Sequence, residues 1–295
     1  MELRHLRSFL AVAETRHFGR AAARVHVTQP ALSQQIRALE DELGTTLLER
    51  GRGGVTLTGA GEVFRGHASR AVEDALAGQR AVQELAGREG GVLRVGYQPS
   101  FRALVTPALA AIGKRHPGVR LRAEEAVAPR VEARVADGRL DLGLSFAPVR
   151  SAEVEAEPLS DSRLDLVVGP EHALATARTA SVTRLVDEPF ALLATGLRAR
   201  AAVDAYLLHQ RFSPRVVFES NAVAAVLAMV AEGVAVTILP EPSFALRQRL
   251  PVVRLSPAPE ALRAVLLWRR QAPRSAVAAA LAAELRGRVR KPAKR

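Results

Sequence analysis

Apolar residues recur in the stretch Gln29 to Leu43 at Leu32, Ile36, Leu39 and Leu43, spacings of four, three and four that share one helical face. Gln29, Ser33, Gln34 and Arg37 fall on the opposite face. Thr28 is placed as an N-cap, and Pro30 sits in the first turn, where its missing N–H costs nothing. The preceding segment, Phe18 to Val25, reads as a shorter helix, with His26-Val-Thr28 as a tight turn between the two. Gln, Ser and Arg are residue types that read base edges in a major groove, and a helix N-terminus tolerates phosphate. The same spacing suits an ordinary amphipathic helix with a solvated face, so it leaves both readings open.

Leu3, Leu6, Phe9, Leu10 and Ala13 form one stripe and predict a first helix behind this pair. Gly44 is a helix stop, and Leu47 to Leu57 alternates around a Gly- and Arg-rich tip, predicting a β-hairpin. Arg50 and Arg52 at that tip are placed to reach a phosphate or the minor groove. Thr58 to Glu89 reads as one long helix of about 45 Å. Along it Phe64, Ala68, Ala71, Ala75, Gly78, Val82 and Leu85 alternate spacings of four and three, a narrow seam of small residues. The seam predicts a partner helix, most simply that of a second copy; packing on the chain's own second domain is the competing reading.

Beyond Gly90-Gly91 the pattern changes to short apolar runs alternating with helices. Strands are predicted at 92–97, 119–123 and 140–145, with helices near 102–116 and 129–136 between them, an α/β unit with a largely parallel sheet. Leu159 to Val168 reads as an extended crossover. A second set has strands at 190–193, 215–219 and 234–239 and near Val252 and Val265, with helices near 198–210 and 222–231. A helix from Ser275 to Arg290 closes the chain. The fold class is therefore α+β overall, in three parts: a unit of helices and a hairpin at 1–58, a long linker helix at 59–89, and a two-lobed α/β domain at 90–295. The lobes are placed at about 90–160 plus 268–295 and at about 161–267, with a cleft between them.

A chain of 295 residues with 48% apolar content suffices for two cores. The net charge of +12, nearly all from arginine, suits phosphate and carboxylate partners. The basic cluster Arg286, Arg288, Arg290, Lys291, Lys294 and Arg295 reads as a solvated helix end and frayed terminus. With no cysteine, disulfides, thiolate zinc sites and thiol redox switches are excluded. No apolar run is long enough to span a bilayer, and the opening Met-Glu-Leu-Arg-His is unlike a signal peptide, so the expectation is a cytoplasmic protein.

Phe18-x-x-Ala-Ala, Val27 to Ile36, Leu39-Glu-x-x-Leu43-Gly44, Leu47-Leu-x-Arg50 and Leu57-Thr-x-x-Gly61 together resemble the winged helix-turn-helix of LysR-type transcriptional regulators. Val95-Gly96, Asp137-Gly-x-Leu-Asp-Leu-Gly143 and Glu232 to Pro240 resemble that family's two-lobed effector domain, which is like a periplasmic binding protein. Within the family, Val27 to Ile36, Ser145 to Val149 and Glu219 to Leu227 are similar to regulators of the cyanate-operon type. The resemblance implies a recognition helix at Gln29 to Leu43, with Gln29, Ser33, Gln34 and Arg37 facing the groove and Pro30 against backbone or a thymine methyl. It implies an inverted-repeat operator in double-stranded DNA, a homodimer or homotetramer, a contact with RNA polymerase, a small-molecule effector and no cofactor. One departure is Gly19, where the family often has Thr or Ser; Gly19 is read as an N-cap without a hydroxyl, and Arg20 as the phosphate contact in its place.

In open α/β sheets ligands bind beyond the carboxyl ends of strands. The corresponding effector positions are Ser100, Phe101, Val127, Phe146, Thr195, Arg198, Asn221 and Thr237, with Ser100 foremost. Arg198 or Arg200 would add a charge for a small anion or carboxylate, and each also reads as a solvated helix residue. Enzyme chemistry finds little support. Gly143-Leu-Ser145-Phe-Ala147 lacks the final Gly of a nucleophile elbow, the seven histidines form no H-x-x-x-H pair, and no phosphate-binding loop occurs. The second reading is a solute-binding protein or sensor without operator specificity, which the fused helix-turn-helix argues against.

Overall fold

The structure, a computed structural model, describes residues 1–51, 54–85, 91–243 and 250–290. The chain divides into two compact units, Met1–Arg88 and Glu89–Arg295.

In the first unit α1 (Leu3–Thr15), α2 (Phe18–Val25) and α3 (Gln29–Leu43) are followed by a hairpin of β1 (Leu48–Gly51) and β2 (Gly54–Leu57), then α4 (Gly59–Leu85). Leu32, Ile36 and Leu39 are buried with Leu6, Phe9, Val12, Ala21 and Leu47 in one core. Leu43, expected on that face, is exposed, because it lies in the last turn where the helix has left its neighbours. Thr28 accepts from the Ala31 N–H, and Gly44 ends the helix at φ +65°. The cap of α2 differs from the sequence expectation. His17, not Gly19, is the N-cap, its Nδ1 accepting from the N–H groups of Gly19 and Arg20 at 3.1 and 3.3 Å. A Cβ at Gly19 would lie 3.1 Å from His17 Cε1, so the missing side chain leaves room for the capping ring.

The hairpin is tied down at its base. Glu40 Oε1 accepts from the N–H groups of Leu47 (2.7 Å) and Leu48 (3.1 Å), and the Val55 N–H donates to Arg16 O. Thr58 donates to Thr46 O and caps α4 by accepting from the Gly61 N–H at 2.9 Å. A Cβ on Gly61 would fall 2.1 Å from Leu47 O, so that crossing admits only glycine.

The predicted seam of α4 splits. Phe64 meets Phe9 edge to face at 5.3 Å, and Ala68, Val72 and Leu76 follow it at four-residue intervals into the first unit's core. Ala71, Ala75, Gly78 and Val82 remain exposed. The reason is geometric: a strict alternation of four and three drifts around a straight helix of 3.6 residues per turn, and the bulky ring of Phe64 settles which side faces inward. The side chain of Leu85 lies outside the described residues.

The second unit opens with β3 (Gly91–Tyr97), α5 (Arg102–Arg115), β4 (Val119–Glu125), α6 (Ala128–Ala136), β5 (Leu142–Phe146) and β6 (Val154–Ser162). It crosses at Arg163 to β7 (Leu164–Val167), β8 (Thr179–Ala180), β9 (Pro189–Leu193), α7 (Arg198–His209), β10 (Arg215–Ser220), α8 (Val223–Ala231), β11 (Thr237–Pro240) and β12 (Val252–Leu255), and returns to β13 (Leu262–Arg269) and α9 (Ala276–Arg290). The first lobe's sheet runs β4-β3-β5-β13-β6; the second lobe holds β11-β7-β12-β8 and the parallel pair β10-β9.

Two expectations are corrected here. The strand near Val265 belongs to the first lobe, where β13 lies antiparallel between β5 and β6, so the second crossover precedes Leu262 rather than following 267. The sheet is accordingly mixed: β3, β4 and β5 run parallel as expected, and β13 is the reversed strand, antiparallel to both β5 and β6. Ala264 to Trp268 are all buried, as a central strand requires, and a continuous apolar run does not reveal which sheet will cover it. The expected extended crossover is two strands, β6 and β7, joined at Arg163.

The C-terminal arginines are also not simply solvated. Arg286, Arg274 and the Trp268 indole all donate to Glu157, and Arg288 pairs with Glu284 and donates to Pro107 O. Lys291, Lys294 and Arg295 lie outside the described residues. Burial raises the pKa of Glu157, but the Arg286 hydrogen bond and charge, with Trp268 and Arg274, outweigh it and hold the carboxyl below its ordinary value.

The His17 cap predicts that His17→Ala destabilises the first unit by about 1 kcal/mol and that Gly61→Ala does so by more, both read from urea unfolding followed by circular dichroism. Because the pKa of Glu157 is lower folded than unfolded, its stabilisation is complete above the unfolded carboxyl value and is lost as pH falls through the folded one. Glu157→Gln should lower the unfolding temperature at pH 7, with the gap from wild type closing in acid.

Candidate nucleic-acid interface and effector cleft

The turn His26–Thr28 lets α3 follow α2 with its apolar stripe inward, and this sets what α3 shows to solvent. Gln29, Pro30, Gln34 and Arg37 are exposed and Ser33 is half-buried, all on the side away from Leu32, Ile36 and Leu39. Arg37 has no ion-pair or hydrogen-bond partner among the described residues, so its guanidinium is available to an external acceptor. At the N-terminal end Gln29 Oε1 lies 3.5 Å from the Cβ position of Gly19, bringing the starts of α2 and α3 together. Arg20 projects there, one Nη donating to Thr15 O at 2.9 Å while its side chain stays exposed. In the hairpin, Arg50 lies opposite Val55 in the β1–β2 ladder. Arg52 and the side chain of Arg50 are outside the described residues. An exposed polar helix face, a basic residue without a partner among the described residues and a hairpin beside it form a surface suited to a duplex groove.

In the second unit the effector positions separate into three groups. Phe101 and Phe146 have no exposed surface and stack at 4.6 Å between ring centroids; they are core beneath the strand ends rather than ligand contacts. Ser100, in the 3-10 turn Pro99–Phe101, and Thr237, in β11, are buried; the Thr237 hydroxyl has no hydrogen-bond partner among the described residues. Val127 before α6, Thr195 before α7 and Asn221 before α8 are exposed at the loops of the two lobes. Next to Ser100, Gln98 Nε2 donates to Ser145 Oγ at 2.6 Å, which in turn donates to Phe146 O.

The arginines proposed for an anion are engaged. Arg198, at the first turn of α7, donates to Glu132 Oε1 on α6 at 2.8 Å, a pair that joins the two lobes. The other oxygen of Glu132 accepts from the Arg150 N–H at 2.9 Å. Arg200 donates to Asp204, to Leu193 O and to Glu219. Burial lowers its pKa, but these two carboxylates outweigh that and raise it, so the guanidinium is firmly charged and already matched. Arg102 is likewise raised by its hydrogen bond to Glu125. Glu132 escaped the sequence analysis: a Glu in the middle of an amphipathic helix carries no local sign that it is buried.

Two cavities border described residues of this unit, and neither is lined by the predicted effector residues. One of about 730 Å³ lies between α7 and the 257–263 segment, and one of about 620 Å³ between α5 and α8. Among the described residues no cluster of metal-ligating side chains occurs, and no helix is long and apolar enough to cross a membrane.

Comparison with known proteins places both units. Residues 3–62 match the family described as bacterial regulatory helix-turn-helix protein, lysR family, and residues 86–290 match the LysR substrate binding domain. The transcriptional regulator AlsR of Bacillus subtilis is 33% identical over 81% of this chain and 80% of its own length. A full-length OxyR from Pseudomonas aeruginosa, solved with one cysteine replaced by aspartate, superposes with a TM-score of 0.78 at 28% identity, covering 97% of this chain and 95% of that one. The LysR family regulator CbnR complexed with its target DNA gives 0.67 at 26% identity, covering 97% and 99%. The cysteine replaced in that OxyR has no chemical counterpart here, since this chain contains none. These matches do not single out the cyanate-operon type. With a winged helix-turn-helix at one end and a two-lobed substrate-binding domain at the other, the chain belongs to the LysR family of DNA-binding, effector-responsive transcriptional regulators.

Proposed function

We propose that this regulator reads an inverted-repeat operator as a homodimer, inserting α3 of each copy into a major groove. The observation that carries this is the exposed face of α3, capped at both ends and holding an Arg37 without a partner among the described residues. Gln29, Ser33, Gln34 and Arg37 read base edges, Pro30 packs on backbone or a thymine methyl, and Arg20, Arg50 and Arg52 hold phosphates. The exposed strip Ala71, Ala75, Gly78 and Val82 on α4 pairs the copies, its small side chains permitting close approach. Phe64 and Ala68 contribute by fixing α4 on its own winged unit. A tetramer forms from two such dimers.

A small molecule entering between the lobes, bordered by Ser100, Val127, Thr195, Asn221 and Thr237, changes their relative angle and so the spacing of dimers on DNA. Such a ligand acts only through different affinity for the two arrangements. The protein works in the cytoplasm, carries out no catalysis, and passes the change to RNA polymerase.

Ser33→Ala combined with Arg37→Ala should weaken specific operator binding by roughly 30-fold or more at fixed salt, about 1 to 3 kcal/mol for each of two base contacts, while non-specific duplex binding changes little. Unchanged specific affinity in a gel-shift titration overturns the α3 assignment. Ala71→Glu should halve the mass measured by light scattering, since it sets like charges against each other in the strip.

A further inference from the structure

Resting on the proposed interlobe effector site, we propose that Glu132 is a built-in carboxylate ligand of Arg198. It fills the cleft's anion position, so the effector of this regulator is an uncharged molecule rather than a small carboxylate. The side chain of Glu132 is only 5% exposed and that of Arg198 19%, so the pair is largely removed from water. Both carboxylate oxygens are used, one by the Arg198 guanidinium across the lobes and one by the Arg150 N–H within its own lobe. This is the arrangement a site offers to a bound carboxylate: a guanidinium at 2.8 Å and a backbone N–H at 2.9 Å. Here the carboxylate is supplied by the chain.

Arg200 and Arg102 offer no substitute. Arg200 is held by Asp204 and Glu219, and Arg102 by Glu125. An incoming monoanion would have to displace Glu132 and leave that carboxylate buried without its partner, a heavier penalty than one new ion pair returns. The predicted effector positions that remain are neutral: the Thr237 hydroxyl, without a hydrogen-bond partner among the described residues, and the exposed Thr195 and Asn221.

The test is chemical rescue in the full-length protein. Glu132→Ala should lower the unfolding temperature of the effector unit by about 5 °C or more. Sodium acetate or propionate should restore it saturably, by about 3 °C at concentrations tenfold above a dissociation constant on the order of 10 mM. Sodium chloride at matched ionic strength and neutral acetamide should not. Wild type should show no saturable shift with acetate, propionate or inorganic phosphate, and Glu132→Ala with Arg198→Ala should not be rescued. Where the Ala variant does not fold, Glu132→Ser leaves the carboxylate's space open beside Arg198 and should gain the same carboxylate response.

Saturable stabilisation of wild type by acetate that disappears in Arg198→Ala overturns the proposal. So does a Glu132 variant that no carboxylate stabilises, or one stabilised equally with and without Arg198. Operator binding by wild type in a gel shift reports on the winged unit and tests the regulator reading separately.

Discussion

Burial of Leu32, Ile36 and Leu39 against α1 and α2 sets the rotation of α3 about its own axis, and the polar face it exposes follows from that rotation. Each of these side chains removes apolar area worth about 1.5 to 3 kcal/mol, far more than any polar contact on the outer face. Gln34 and Arg37 are therefore displayed because their neighbours are buried. The caps from Thr28 and Gly44 set the ends of the helix, and Glu40, on its inner edge, carries the rotation onward by holding the Leu47 and Leu48 N–H groups at the base of the hairpin. One packed stripe thus positions both the groove reader and the wing.

The second unit obeys a different constraint, charge balance. In a chain of net charge +12, four described arginines near the strand ends of this unit are matched: Arg198 by Glu132, Arg200 by Asp204 and Glu219, Arg102 by Glu125, Arg134 by Glu124. Arg37, by contrast, is exposed without a partner among the described residues, while the Arg198–Glu132 pair spans the lobes. Two crossovers, at Arg163 and at 256–261, are the covalent links about which such lobes can turn.

Much of this was legible before any coordinates. The amphipathic stripe of α3, its Thr28 and Gly44 caps, the hairpin and the alternation of strands and helices beyond Gly91 are written in spacings of two to four residues, and local spacing is what a sequence states directly. The His17 cap was missed because histidine is an uncommon N-cap. It works here through the space that Gly19 leaves open.

By itself, then, the amino-acid sequence determined the family, the two-unit plan and the exposed polar face of α3, since each depends on residues close together along the chain. Tertiary structure alone decided that Phe64 and Ala68 turn inward while Ala71 and Ala75 stay out, that β13 joins the first lobe's sheet, and that Arg198 is already occupied. Those outcomes are choices among partners far apart in sequence: Phe9 for Phe64, β5 and β6 for β13, and Glu132, 66 residues away, for Arg198. Periodicity says that a face must be covered or a charge matched; only the folded chain says by what.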